Sequence, residues 1–172
     1  GKMAAMLVRL ADGSGRYVVP GGMIETADVG GAGAAMRELS EEVFGLRGDA
    51  ASIHGQKLLR RATAAAAMHG PFGSSQFHEA YLVKAEPVFG SIDTLVAAFK
   101  PNSECDAATL VPVDAIDGNA LSVEACDGSI LTLRDKLGYR RIQAAKLSPG
   151  SGESADTRAR WEGDWMSSTH ES

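Results

Sequence analysis

The stretch RELSEEVFGL, residues 37–46, sets three carboxylates and one arginine within six positions and lies between two glycine-containing loops. Leu39, Val43 and Leu46 recur at helical spacing, so the segment reads as a short amphipathic helix. Such a helix is stable in water only when other elements cover its apolar side, so the fold must supply a sheet or further helices there. Glu38, Glu41 and Glu42 then project from neighbouring positions, because residues three and four apart share a helix face. Carboxylates crowded in this way repel unless solvent or a cation intervenes. Two readings follow: a solvated acidic face, or an oxygen cage of the kind that hard Mg²⁺ or Mn²⁺ prefers.

The flanking sequence favours a layered fold. Residues 4–10 and 16–19 read as strands joined by the turn ADGSG, and Pro20-Gly21-Gly22 ends the second. MIETADVGGAG is expected to be a loop, because Gly30, Gly31 and Gly33 are poor helix formers, with the helix running over AAMRELSEEVF to Gly45. Further on, residues 52–61 and 77–84 read as strands and ATAAAAMHGPFG as a helix turn or loop. Residues 109–112 read as another strand, and 113–116 and 128–137 as helices. Strands on both sides of an acidic helix, with more helix toward the C-terminus, predict an α/β (α+β) sandwich. A single domain is expected over 1–147. Residues 148–172, rich in Ser, Gly and charge, are expected to form a mobile tail, with Trp161 and Trp165 as the groups able to dock it.

Composition bounds the partners. The chain of 172 residues is 44% hydrophobic, enough for one folded core, and its formal charge of −5 gives weak support for a nucleic-acid or acidic-membrane surface. Cys105 and Cys126 stand apart with no CxxC or His/Cys cluster, so both are expected to be reduced and structural. The opening apolar run is cut short by Arg9, too early for a bilayer span. A soluble protein is expected, cytoplasmic by preference, with oligomeric state open.

GGMIETAD…AAMRELSEEVFGL resembles the Nudix box. Gly22 falls on the first glycine of that pattern, Asp28 on its outlying glutamate, and Arg37-Glu38-Leu39-Ser40-Glu41-Glu42 on its helix without a gap. Eight residues, rather than seven, separate Asp28 from Arg37, and two residues, Val43 and Phe44, stand where the pattern has one. MLVRLADGSGRYVVPGG is similar to the strands that lead into the box, and CDAATLVPVDAI to a later strand and short helix. The family's usual first strand is barely represented before Ala4, which leaves open a reduced strand or sequence upstream of it.

The resemblance implies a Nudix-type α/β/α sandwich with a mixed sheet and a Mg²⁺- or Mn²⁺-dependent hydrolase acting on a small phosphorylated substrate. It implies Glu38, Glu41 and Glu42 as metal ligands, a carbonyl of Gly21 completing the shell, and Arg37 orienting Glu38. Glu38 or Glu41 would take the proton from attacking water. Glu104 in KPNSECDAATLVPV is the closest match to a glutamate that some members use outside the box, and Glu79 is a second candidate. Glu25 is placed at the substrate, and Arg60 and Arg61, with Lys57, Arg140 and Arg141, as phosphate contacts or a solvated charge run. An ADP-ribose-like compound, a dinucleoside polyphosphate and a diphosphoinositol polyphosphate all remain open as substrates. The competing class is a noncatalytic Nudix module that binds a nucleotide or a protein.

Overall fold

The computed structural model describes residues 4–75, 78–115, 120–134 and 165–171. Its centre is β1 (Ala4–Leu10), an almost uninterrupted apolar run. Side chains alternate across a strand, so Ala5 and Leu7 enter one core while Met6 and Val8 enter another, and all four are fully buried. β1 pairs antiparallel with β2 (Arg16–Val18) and with β6 (Cys105–Pro112), with Val8 opposite Val18 on one side and Ala108 on the other. β2 runs parallel to β8 (Ile130–Leu133), which forms a hairpin with β7 (Ser122–Glu124). The five-stranded mixed sheet has the order β6-β1-β2-β8-β7.

A second sheet has the order β3-β9-β5-β4. Here β3 (Gly21–Met23) runs parallel to β9 (Trp165–Glu171), and β9 pairs antiparallel with β5 (His78–Lys84), itself antiparallel to β4 (Met68–Ser75). Four helices complete the described fold: α1 (Gly30–Glu42), α2 (Gly48–Ala64), α3 (Ala85–Phe89) and α4 (Ile92–Ala97). Met36 and Leu39 of α1, Val43 just after it, Leu58 and Ala62 of α2, and Leu95 of α4 share the core that holds Met6 and Val8. The expected mixed α+β class is met. No described helix is long and apolar enough to cross a membrane.

Several local expectations need correction. Residues 52–61 lie inside α2, not in a strand. The buried positions of that helix, Ala51, Gly55, Leu58 and Ala62, do follow helical spacing, but three of the four are Ala or Gly and contribute little hydrophobic signal. Gly55 instead provides close approach: a Cβ there would lie 2.8 Å from the Arg37 backbone nitrogen, so α2 seats against α1 where a side chain would hold it off. The glycine segment expected to be loop supplies the first turn of α1, which begins at Gly30. Of the helix expected over 128–137, 135–137 lie outside the described residues and the remainder holds β8, where Leu131 and Leu133 are buried and Ile130 is exposed, a period of two. The Asp127 side chain bonds the Ser129 N–H and hydroxyl, and Gly128 adopts φ +86°, so this segment turns a hairpin. Residues 109–112 belong to a strand that begins at Cys105, and Val113–Ala115 is a single 3₁₀ turn.

Within the expected tail, 148–164 lie outside the described residues, whereas Trp165–Glu171 is a strand between β3 and β5. Composition predicted mobility there, but a strand is held by backbone hydrogen bonds that need no apolar side chain.

Candidate functional site

Three segments meet at the acidic helix: α1 itself, the 20–28 segment that leads into it, and the 100–104 loop before β6. Met36, Leu39 and Val43 anchor α1 in the core, and this draws its acidic side inward as well. Arg37 is 3% exposed, Glu38 8% and Glu42 7%, so the carboxylates are no solvated face. Taking that much charge out of water costs free energy unless each group is paired.

Arg37 provides most of the pairing. Its Nε and one terminal nitrogen donate to the two oxygens of Asp28 at 2.9 and 3.1 Å, a bidentate fork. Its Nη1 donates to Glu38 at 3.0 Å and to Glu41 at 3.2 Å, and its Nη2 also reaches the Met23 carbonyl at 2.7 Å. Burial acts to lower the guanidinium pKa, but the hydrogen bond to Asp28 and the charges of Glu38, Asp28 and Glu41 outweigh it, and the pKa stays above its ordinary value. Arg37 therefore holds Glu38, Glu41 and Asp28 together. Asp28 is tied to this arginine. Glu25 is exposed at the rim, 3.6 Å from Arg37.

The turn after Pro20 lays backbone directly on the carboxylates. A Cβ at Gly22 would collide with the Glu38 carboxylate, so only glycine admits this approach. The Gly21 N–H donates to Glu42 Oε2 at 3.0 Å. The described contact of Gly21 is thus made by its amide, and the partner is Glu42, the deepest of the acids. Burial pushes the Glu42 pKa well up, Glu38 adds repulsion, and the Gly21 N–H opposes both. The Glu38 pKa is pushed up to about 7, first by burial and then by Glu41, against the pull of Arg37. Burial likewise raises that of Glu41, again opposed by Arg37.

The third segment brings in Glu104. Lys100 N–H donates to the Val43 carbonyl at 2.8 Å, and the Asn102 side-chain amide donates to the Glu42 carbonyl at 2.9 Å, both at the C-terminal end of α1 where helix carbonyls lack partners. Asn102 Oδ1 in turn accepts from the Glu104 and Cys105 N–H groups, each at 3.0 Å. The loop is thereby tied to the helix end. Arg47 bonds Ser103 and lies 3.5 Å from Glu104 Oε1. Carboxylate oxygens of Glu38, Glu41 and Glu104 all fall within 4.8 Å of one another. Oε2 of Glu104 is buried and has no hydrogen-bond partner.

Of the residues singled out in the sequence, Arg37, Glu38, Glu41 and Glu104 come together, with Glu42 and Gly21 joined at their edge. Glu79 takes the Tyr81 hydroxyl at 2.5 Å on β5 and is outside this group. Arg60 and Arg61 lie in the last turns of α2, exposed, and among the described residues neither pairs with these carboxylates. Arg140 and Arg141 lie outside the described residues. Asn102 and Arg47 were not foreseen, since a loop asparagine has many local uses and only the fold shows which carbonyl it meets. Comparison of the chain with protein-family models, curated proteins and solved structures finds no match.

Proposed function

We propose that this protein is a Mg²⁺- or Mn²⁺-dependent pyrophosphohydrolase of the Nudix type, with the two sheets and their helices forming that family's sandwich. Its substrate would be a nucleoside diphosphate linked to a second group or a diphosphoinositol polyphosphate. The observation that carries this reading is the convergence of Glu38, Glu41 and Glu104 around a buried, partnerless carboxylate oxygen. A site so short of positive charge fits a hard divalent cation, whose preferred ligands are carboxylate oxygens.

Glu38, Glu41 and Glu104 would hold the cation, and Glu42 would add negative charge behind them. When bound, the ion neutralises diphosphate charge and makes water easier to deprotonate. The chain supplies the remainder. Arg37 holds Glu38 and Glu41 in place from behind, Gly22 leaves room for Glu38, and Asn102 sets the distance of Glu104 from both. Glu38 and Glu41 are each partly neutralised by Arg37, whereas Glu104 Oε2 accepts no hydrogen bond. Glu104 Oε2 is therefore free to take the proton of an attacking water, alongside Glu38 and Glu41.

The test is product release from ADP-ribose, a dinucleoside polyphosphate, a diphosphoinositol polyphosphate and nucleoside triphosphates, with and without Mg²⁺ or Mn²⁺, using Glu42→Gln as control. Metal-dependent turnover of one compound that disappears in the control is the expected result. A folded protein inert toward every compound would favour the noncatalytic module.

A further inference from the structure

Beside the acidic helix, α2, α3, α4 and Phe44, just past the end of α1, line a half-open cavity of about 220 Å³. Its walls include Phe44, Leu58 and Phe89, with the two phenylalanine rings 6.2 Å apart and 27° from parallel. Phe44 is one of the two residues between Glu42 and Gly45, and the His54 ring meets it edge-on at 4.7 Å. The cavity is smaller than the roughly 300 Å³ at which sites for drug-sized ligands begin, so it suits a body of one ring or a short branched chain.

Arg61 is the one charged residue on its walls; His54 also lines it, and no acidic residue does. Among the described residues no carboxylate comes within ion-pair reach of Arg61. A guanidinium at the edge of an apolar cavity, with no anion of its own chain, is a ready partner for a carboxylate. The hydrogen bonds of His54 also settle its tautomer. The Ser40 hydroxyl donates its single hydrogen to the Met36 carbonyl at 2.9 Å, so at the 2.8 Å contact with His54 it must accept, and Nδ1 carries the proton. Nε2 then carries no proton and can only accept, so Arg61 is left as the partner for an anion. Burial, and after it the positive charges of Arg61 and Lys57, hold the imidazole pKa below its ordinary value.

We infer that this cavity is a binding site for a small monocarboxylate with a compact apolar body, seated against Phe44, Phe89 and Leu58, with its acid group on Arg61. The site uses none of the clustered carboxylates and stands whether or not the chain is a hydrolase.

The probe is benzoate, titrated into the ¹⁵N-labelled full chain and followed by amide shifts, with benzyl alcohol as a neutral partner of similar shape. Saturable binding of benzoate is expected, with shifts centred on α2, α3 and α4. Binding should be at least tenfold weaker for benzyl alcohol and for Arg61→Gln, absent in Ala98→Phe, which fills the cavity, and unchanged in Glu104→Gln. Equal binding of acid and alcohol, no saturable binding of benzoate by the folded protein, or full retention in Ala98→Phe would each overturn the inference.

Discussion

Asn102 does the work of a clamp with one side chain: it satisfies the Glu42 carbonyl at the end of α1 and fixes the backbone from which Glu104 projects. Asn102→Ala is expected to lower stability by about 1–2 kcal/mol, through the lost hydrogen bonds and the carbonyl left without a partner. It should also weaken Mg²⁺ binding, whereas a purely structural role would leave metal affinity intact; urea denaturation and calorimetric titration separate the two. For Glu104→Gln the expected loss of turnover is about 10²-fold or more, with KM changed little, if this carboxylate takes the proton. Equal turnover of wild type and variant would remove Glu104 from the mechanism. At this scale the clustering of Glu38, Glu41 and Arg37 was legible, because helical spacing alone places them together. The arrival of Glu104 was open to a resemblance only, since nothing in local chemistry tells a loop glutamate which helix it will face.

At the scale of elements, the contact of α1 with α2 depends on a glycine. Gly55→Ala would push a methyl group into the Arg37 and Met36 backbone, with neighbours at 2.8 to 3.0 Å. Backbone cannot yield as a side chain can, so the change is expected to cost about 1–3 kcal/mol. It should also shift Arg37 and with it the carboxylates; thermal denaturation and metal titration of the variant check both. Gly22→Ala acts at the other contact, β3 on α1, and is expected to abolish turnover by displacing Glu38 while the protein stays folded by circular dichroism. β1, rich in Leu, Val and Met, announced itself; α2 did not, because its buried stripe is built largely from Ala and Gly.

For the whole molecule, the buried acids link stability to pH. Glu38 rises from an ordinary 4.5 to about 7 in the folded chain, and Glu41 and Glu42 move in the same direction. Between those pH values the folded state binds more protons than the unfolded one, so stability falls as pH rises across the window. Without divalent metal, Tm should therefore be higher at pH 5.5 than at pH 8, with Mg²⁺ restoring the loss at pH 8. Glu42→Gln should raise metal-free stability at pH 8 by about 1–2 kcal/mol, by removing a buried charge that repels Glu38. A Tm independent of both pH and Mg²⁺ would contradict the account. The second sheet offers a separate check. Ending the chain at residue 164 removes β9 and leaves the facing edges of β3 and β5 unpaired. A lower, broader thermal transition is expected, and an unchanged one would mean that β9 adds nothing to the fold.

The sequence by itself determined that α1 is amphipathic, that its carboxylates share a side with Arg37, and that residues 4–10 form a strand. These follow from the 3.6- and two-residue periods of side chains, which are local properties of the backbone. Tertiary structure alone decided that Glu104 joins Glu38 and Glu41, that Asn102 holds it there, and that β9 lies between β3 and β5. Each of these joins residues far apart in the chain, through close packing and backbone hydrogen bonds to which a local pattern of residue types is blind.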